Sequence, residues 1–389
     1  MAKRLLALLM ITIMVFTLVA CQGETEKDNL ANVENSNGET EEVKNYKIGV
    51  VTPTLSSSED EFRAGENMAN KYPGIVEHIV LPEDTNENAQ GGISQILSLA
   101  DDKDMKAIVV TSGQSGLLPA FQKVKEKRPD ILTITAPIWD DPDMMAEYID
   151  INFDTDWARR GTTITEKAHE MGAKTFIHYS FPTHLSMESV SKRRDMMKET
   201  SERLGMTFVE VVTPDPQTGD GTTAMLQFLR EDIPRQIEKY GPDTNIFGSN
   251  CPMYDVILDE ALKLKFIVAE QCCPTPTQAY PTVMGLEIDE EDAGNFDKIN
   301  EMITEKAAEA GMTGRLSGWP IPVTIFLPEY AVELAKYIID NDADVEKDIL
   351  NKDFLDQFGK DTFGVGVDFQ PLKEGMDNYY AMIMESIFY

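Results

Sequence analysis

Three thiols carry the most distinctive chemistry in this sequence. Cys251 follows Gly248-Ser249-Asn250, and the pair Cys272-Cys273 follows Phe266-Ile267-Val268-Ala269, so each lies just past a short apolar run. Thiolates are soft donors, and such a cluster can hold a soft metal ion, react with a thiol-bearing ligand or form a disulfide. Against this, adjacent cysteines rarely close on each other, and a small buried cysteine acting as a hydrophobe is the commonest case. His184 is the one histidine expected near them. The four cysteines and four histidines show no H-E-x-x-H and no zinc-ribbon or disulfide-framework spacing, so no metal and no cofactor is assigned. Neither a nucleophile elbow, nor a Ser-His-Asp pattern, nor paired carboxylates at strand ends stand out, and the chain is expected to bind rather than catalyse.

A second set of residues suits recognition of a small polar molecule. Asp154 and Asp156 precede a helix beginning near Trp157. One is expected to cap backbone N–H groups, and the other to accept hydrogen bonds from ligand hydroxyls or amines. Trp139 and Trp157 fall at strand ends, where an indole face can stack on a sugar or purine; core packing is the alternative, and the favoured one for Trp319. Ser112 and Gln114, in Thr111-Ser112-Gly113-Gln114-Ser115-Gly116, form a polar cradle or a plain Gly-rich turn at a helix start. The missing Lys after the glycine argues against a nucleotide phosphate loop.

The elements that must position these groups are repeated strand–helix units. From Tyr46 onward, short unalternating apolar runs such as Ile48–Val51, Ala107–Val110 and Thr175–Tyr179 are separated by amphipathic helical stretches. That pattern predicts parallel sheets covered on both faces. It restarts near Tyr148, which predicts an α/β protein of two Rossmann-like lobes. The first is expected over 46–140, completed by segments of 281–389, and the second over 141–280, with hinges near 136–153, 274–284 and 314–324. In parallel sheets ligands sit beyond the C-terminal strand ends. This adds Thr54, Phe181, Asn250, Tyr254 and Gln271 to the candidate ligand contacts and places them all around one cleft between the lobes.

The N-terminus supplies an address. Lys3 and Arg4 precede an apolar run from Leu5 to Ala20, a secretory signal slightly short of the ~20 residues of a membrane span. Leu18-Val19-Ala20-Cys21 resembles the bacterial lipobox, which implies cleavage before Cys21 and attachment of acyl chains such as palmitate to it. Residues 21–45 then read as a flexible acidic linker from the bilayer. The formal net charge of −32 repels phosphate backbones, so nucleic acid is not expected as a partner.

Several stretches resemble type I periplasmic-binding proteins, the fold of sugar-binding proteins and of the ligand domains of lactose-repressor-like regulators. They are Lys47-Ile48-Gly49-Val50-Val51, Ile151-Asn152-Phe153-Asp154-Thr155-Asp156, Gly248-Ser249-Asn250-Cys251-Pro252-Met253 with Glu260-Ala261-Leu262, and Gly314-Arg315-Leu316 with Pro328-Glu329-Tyr330. Cys251 stands where the family pattern has Asp. Residues 281–312 look like an insertion and 341–389 an extension. Over the whole chain the sequence resembles uncharacterised lipoproteins of anaerobic Gram-positive bacteria with this fold. The resemblance implies an extracytoplasmic, lipid-anchored solute-binding protein that captures a sugar- or nucleoside-like metabolite by hinge closure and delivers it to a membrane permease. It also implies that Arg193 or its neighbour Arg194 reaches the cleft from a helix, with a solvated helix face as the alternative. A ligand sensor for a membrane receptor or kinase, and a thiol- or metal-handling protein, are the other readings. No helix-turn-helix pattern precedes Tyr46, which disfavours the regulator branch.

Overall fold

Short apolar runs become strands buried on both faces, and the amphipathic stretches between them become the helices that bury them. The structure, a computed structural model, describes residues 46–83, 89–112, 115–289 and 292–389. The signal, Cys21 and the acidic linker lie outside the described residues, as do Gln114 and the side chain of Ser112. Among the described residues no helix is long and apolar enough to cross a membrane.

The first lobe begins β1 (Lys47–Thr52), α1 (Glu59–Lys71), β2 (Val76–Val80), α2 (Ala89–Ala100), β3 (Met105–Ser112), α3 (Leu118–Lys127), β4 (Leu132–Ile138), α4 (Pro142–Met145) and β5 (Ile151–Thr155). The second lobe follows with α5 (Arg160–Glu170), β6 (Thr175–Ser180), α6 (Pro182–Leu185), α7 (Glu188–Arg203), β7 (Thr207–Val212), α8 (Gly221–Tyr240), β8 (Thr244–Gly248), α9 (Tyr254–Leu264), α10 (Tyr280–Met284), α11 (Phe296–Glu309) and β9 (Ser317–Gly318). The chain then returns through α12 (Val323–Asn341), α13 (Lys352–Phe363), β10 (Val367–Pro371) and β11 (Tyr379–Met384), and ends in β12 (Ile387–Phe388).

The first sheet has the order β10-β11-β5-β4-β3-β1-β2, parallel except for β10. Ile48 and Val50 pack on one face with Phe326, Tyr330 and Leu334 of α12, while Val51, Ile108 and Val110 pack on the other with Ile96 and Phe121. The second sheet runs β7-β6-β8, all parallel, extended by bridges from Asn245 to Ile267 and from Val268 to Leu316. Both sheets thus repeat one strand order, in which the first strand lies between the second and the third. In such a sheet the side chains just beyond the strand ends are the ones free to line a crevice.

Three departures from the expected boundaries follow from these pairings. β5 pairs with β4 and β11, so the first sheet runs to Thr155 rather than stopping at residue 140. Residues 281–312 are not an addition to the first lobe: Ile299, Ile303, Ala307 and Met312 belong to the core of the second. Residues 341–389 are not an appendage either, since β11 sits directly against β5 and β10 closes the edge. The chain passes between the sheets at 155–160, 317–322 and 384–387. Of the expected hinges only the one near 314–324 overlaps a crossing. The pairing of β5 and β11 moves the other crossings away from 136–153 and 274–284. Two crossings are clipped together where β12 pairs antiparallel with β9, and the final residue, Tyr389, is buried in the second lobe with its hydroxyl donating to Asn300 at 3.0 Å.

Candidate functional site

Between the lobes lies a cavity of about 830 Å³, within the size range of small-molecule sites. Its first-lobe wall comes from the β1–α1 turn (Pro53, Ser57, Ser58), from Glu61 on α1, from Pro137 and Trp139 after β4, from Asp154 on β5, and from Val323, Thr324 and Leu327 at the start of α12. Its second-lobe wall comes from His184, Met187, Val190 and Arg193 on α6 and α7 and from Cys272 and Cys273 after the second sheet. Thr155 and Trp157, on the first crossing, close the back.

The two walls differ in charge. On the first, Glu61 is buried and accepts a hydrogen bond from Thr111 Oγ1 at 3.0 Å; burial holds its carboxyl above the usual range. Asp154 accepts the Thr155 N–H at 2.6 Å, yet burial pushes its carboxyl up to about 6. On the second wall Arg193 is 3% exposed. Its guanidinium lies over the Phe247 ring, 5.2 Å from the centroid, and donates only a 3.8 Å bond from Nη2 to Cys272 Sγ, leaving Nε without a partner. Its neighbour Arg194 pairs with Asp195 and Glu210 on the outer face, which resolves the register in favour of Arg193. Helix packing explains the placement. A Cβ on Gly161 would stand 2.3 Å from the Arg193 carbonyl, so only glycine lets α5 approach α7 this closely.

The thiols converge as their positions suggested. The Sγ atoms of Cys251, Cys272 and Cys273 all lie within 4.8 Å of one another, and all three are free. Cys272 donates to the Ser249 carbonyl at 2.9 Å. The thiols of Cys251 and Cys273, then the guanidinium of Arg193, hold the Cys272 thiol well below its ordinary pKa, while Cys272 raises that of Cys251, and Cys251 and Cys272 raise that of Cys273. His184 stands on the same wall, stacked on Phe181 with ring centroids 5.0 Å apart and its Nδ1 3.0 Å from Ser249 Oγ.

Of the sequence candidates, Trp139, Asp154, Trp157 and Arg193 line the cavity, and Cys251 joins its wall through the thiol group. The rest are held elsewhere. Asp156 accepts the Arg159 N–H and Nε, at 2.9 and 2.8 Å, and so caps the start of α5. Tyr254 is buried with its hydroxyl donating to the Gly248 and Glu270 carbonyls. Gln271 is buried and spans the Gln278 carbonyl and the Thr275 N–H. Thr54 bonds to Ser56 and Ser57 within its own turn, Phe181 supports His184 from behind, and Asn250 only leads into the turn at Cys251. Strand-end position alone does not decide which way a side chain turns, and these five turn into the scaffold or along it.

Sequence reading missed Glu61 and Arg160. Glu61 sits in the first turn of α1, and only the packing of α1 against β1, β2 and α12 aims it inward. Arg160 stands beside Arg159 in the sequence, and nothing in that spacing singles it out. It is fully buried, donating Nε and Nη2 to Glu270 Oε1 at 2.9 and 2.6 Å, and Nη1 and Nη2 to the Cys272 and Gln271 carbonyls at 2.8 Å. Its guanidinium lies between Trp157 and Trp319, 5.2 and 5.1 Å from their centroids, and Glu270 Oε2 accepts from Ser386 at 2.9 Å. Residues from all three crossings therefore meet at one buried ion pair, which also fixes the backbone that carries Cys272.

Two doubly wound lobes, three crossings and a cleft between facing strand ends define the type I periplasmic-binding-protein fold. A sugar ABC transporter structure from Actinomyces odontolyticus ATCC 17982 shares that fold at 11% identity, with a TM-score of 0.51 over 78% of this chain and 86% of that one. Residues 46–317 match the family described as protein of unknown function DUF3798, and the chain belongs to that family. It is 44% identical to a proposed transcriptional regulator from Clostridium difficile 630, whose crystal structure aligns with a TM-score of 0.86 over 89% of this chain and 99% of that one. It is also 33% identical over 193 residues to an uncharacterised protein of Treponema pallidum (strain Nichols), covering 48% of this chain and 87% of the relative.

Proposed function

We propose that this protein is an extracytoplasmic solute-binding lipoprotein, held at the membrane through acylated Cys21, that captures a small polar metabolite between its lobes and passes it to a membrane importer. The observation that carries this reading is the 830 Å³ cavity whose walls come from both lobes and whose back is made by a crossing. A molecule held there touches both lobes at once and favours the arrangement in which they lie together, which is how a ligand biases a hinge.

The walls limit the chemistry of the solute. Asp154 and Glu61 suit hydroxyl or amine donors, Arg193 suits an acceptor on the opposite end, and Trp139 and Trp157 suit a flat or ring-shaped body between them. A sugar or nucleoside meets these demands, and a simple anion does not, because the first wall is acidic. In a second reading, capture of the same solute in the same cleft informs a membrane receptor or kinase instead of feeding an importer. No catalytic role is assigned.

A thermal-shift screen of sugars, nucleosides and other polar metabolites tests the proposal. A solute present at ~100 times its dissociation constant stabilises the fold by ~2.7 kcal/mol, and Trp139→Ala is expected to weaken that effect without lowering the stability of the free protein, because Trp139 is 67% exposed. If the stabilising solutes act equally on protein with a filled cleft, for instance after Ser58→Trp, the cleft is not their site.

A further inference from the structure

The cysteine group on the second-lobe wall goes beyond solute capture. We propose that Cys251, Cys272 and Cys273 together bind one soft divalent cation of the Zn²⁺ or Cd²⁺ type, with its remaining coordination position facing the cleft.

Geometry comes first. Three thiolates on one such ion, with metal–sulfur bonds of about 2.3 Å, place their sulfurs roughly 3.8 Å apart. The three Sγ atoms already lie within 4.8 Å of one another, so rotamer adjustments of well under an ångström per thiol complete the set. The ligands come from two segments, the turn after β8 and the loop after Ala269. Both are fixed from behind: Tyr254 bonds the Gly248 carbonyl, and Arg160 bonds the Cys272 carbonyl. Cys272 and Cys273 line the cavity, so a bound ion keeps one side open to it. Three protein ligands with an open fourth position is the arrangement of zinc sites that take up an exogenous donor.

Charge comes second. A buried cation without a carboxylate is costly. Arg160 is neutralised by Glu270. Arg193 forms no ion pair among the described residues, and its Nε has no partner. A divalent ion held by three thiolates makes a complex of charge −1. The Arg193 guanidinium, 3.8 Å from Cys272 Sγ, brings the sum to zero. A divalent ion balances this pocket, whereas a trivalent metalloid bound by three thiolates would leave Arg193 unmatched. Metal binding gives up the bond from Cys272 to the Ser249 carbonyl, a loss of one weak hydrogen bond against three metal–sulfur bonds.

The test is a titration of the reduced, metal-free full-length chain with Cd²⁺ alone, with no solute present, following the ultraviolet thiolate-to-cadmium charge-transfer band. The band should saturate at one Cd²⁺ per chain and be reversed by excess Zn²⁺. Cys251→Ser, Cys272→Ser and Cys273→Ser should each weaken binding by ~100-fold or more, while Cys21→Ser leaves the band intact; circular dichroism on each variant confirms that it folds. The proposal fails if no band saturates at one equivalent, if any two of the three wall variants keep wild-type affinity, or if Cys251 forms a disulfide with Cys272 or Cys273 in place of binding. Because the titration contains no solute, its failure leaves the solute-binding proposal standing, and a failed solute screen leaves the metal site standing.

Discussion

Arg160 and Arg193 are both buried arginines of the second lobe, on neighbouring helices, yet their surroundings are opposite. Arg160 is saturated: a carboxylate on one edge, two carbonyls on the other and a tryptophan on each face. Arg193 has a phenylalanine ring beneath it and one long bond to sulfur. A saturated buried charge belongs to the scaffold, because everything it needs is already there. An unsaturated one at a cavity wall is poised for something that arrives, since its desolvation is uncompensated until a partner comes. The same residue type thus marks the fastening of the crossings in one place and the candidate recognition surface in the other.

The sharpest way to break this comparison is to truncate both. Arg160→Met leaves Glu270 buried without its countercharge and should lower stability by ~3–5 kcal/mol, measured by urea denaturation. Arg193→Met removes a charge with no ion pair among the described residues and should cost less than ~1.5 kcal/mol while weakening solute binding ~10-fold or more. Equal losses for the two would erase the distinction. A smaller effect is expected from Gly161→Ala, which drives α5 and α7 apart at the Arg193 carbonyl. Overpacking of this kind costs ~1–3 kcal/mol, and the displaced Arg193 should lose affinity beyond what the stability change alone produces.

The smallest effect concerns the opposing wall. Asp154 has its carboxyl raised to about 6 by burial, above its value in an unfolded chain. Such a group favours the folded state most at pH below its unfolded value of ~3.9, and that contribution is lost as pH rises through about 6. Asp154→Asn should therefore gain ~1–2 kcal/mol relative to wild type at pH 8 and little at pH 4, read from thermal unfolding at both. An identical difference at the two pH values would show that Asp154 is not held in a costly charged state.

Much of this contrast was legible in the sequence, and what was not has a physical cause. Unalternating runs such as Ile48–Val51 marked the parallel strands, and the strand-end rule led directly to Trp139, Asp154 and the cysteines. The same rule also selected Tyr254 and Gln271, whose side chains turn inward to satisfy loop carbonyls and N–H groups. That choice depends on which backbone groups lack partners after folding, and spacing does not encode it. Segments of 281–389 do complete the first lobe through α12, β10 and β11, but α11 packs in the second, and only tertiary packing makes that assignment. Arg160 and Arg193 look alike in sequence, each being one member of an Arg-Arg pair. The difference lies in Glu270, which is 110 residues from Arg160 in the chain.

The central claim is that one small molecule is held by both walls. The direct measurement is calorimetric titration, on reduced and metal-free protein, of the solute found by thermal-shift screening against wild type, Asp154→Asn and Arg193→Met. One bound molecule per chain is expected, weakened ~10-fold or more by each substitution, in line with the ~1.5–3 kcal/mol of a hydrogen bond to a charged group. Wild-type affinity in either variant would mean that the solute rests on a single lobe, and would contradict capture between the two.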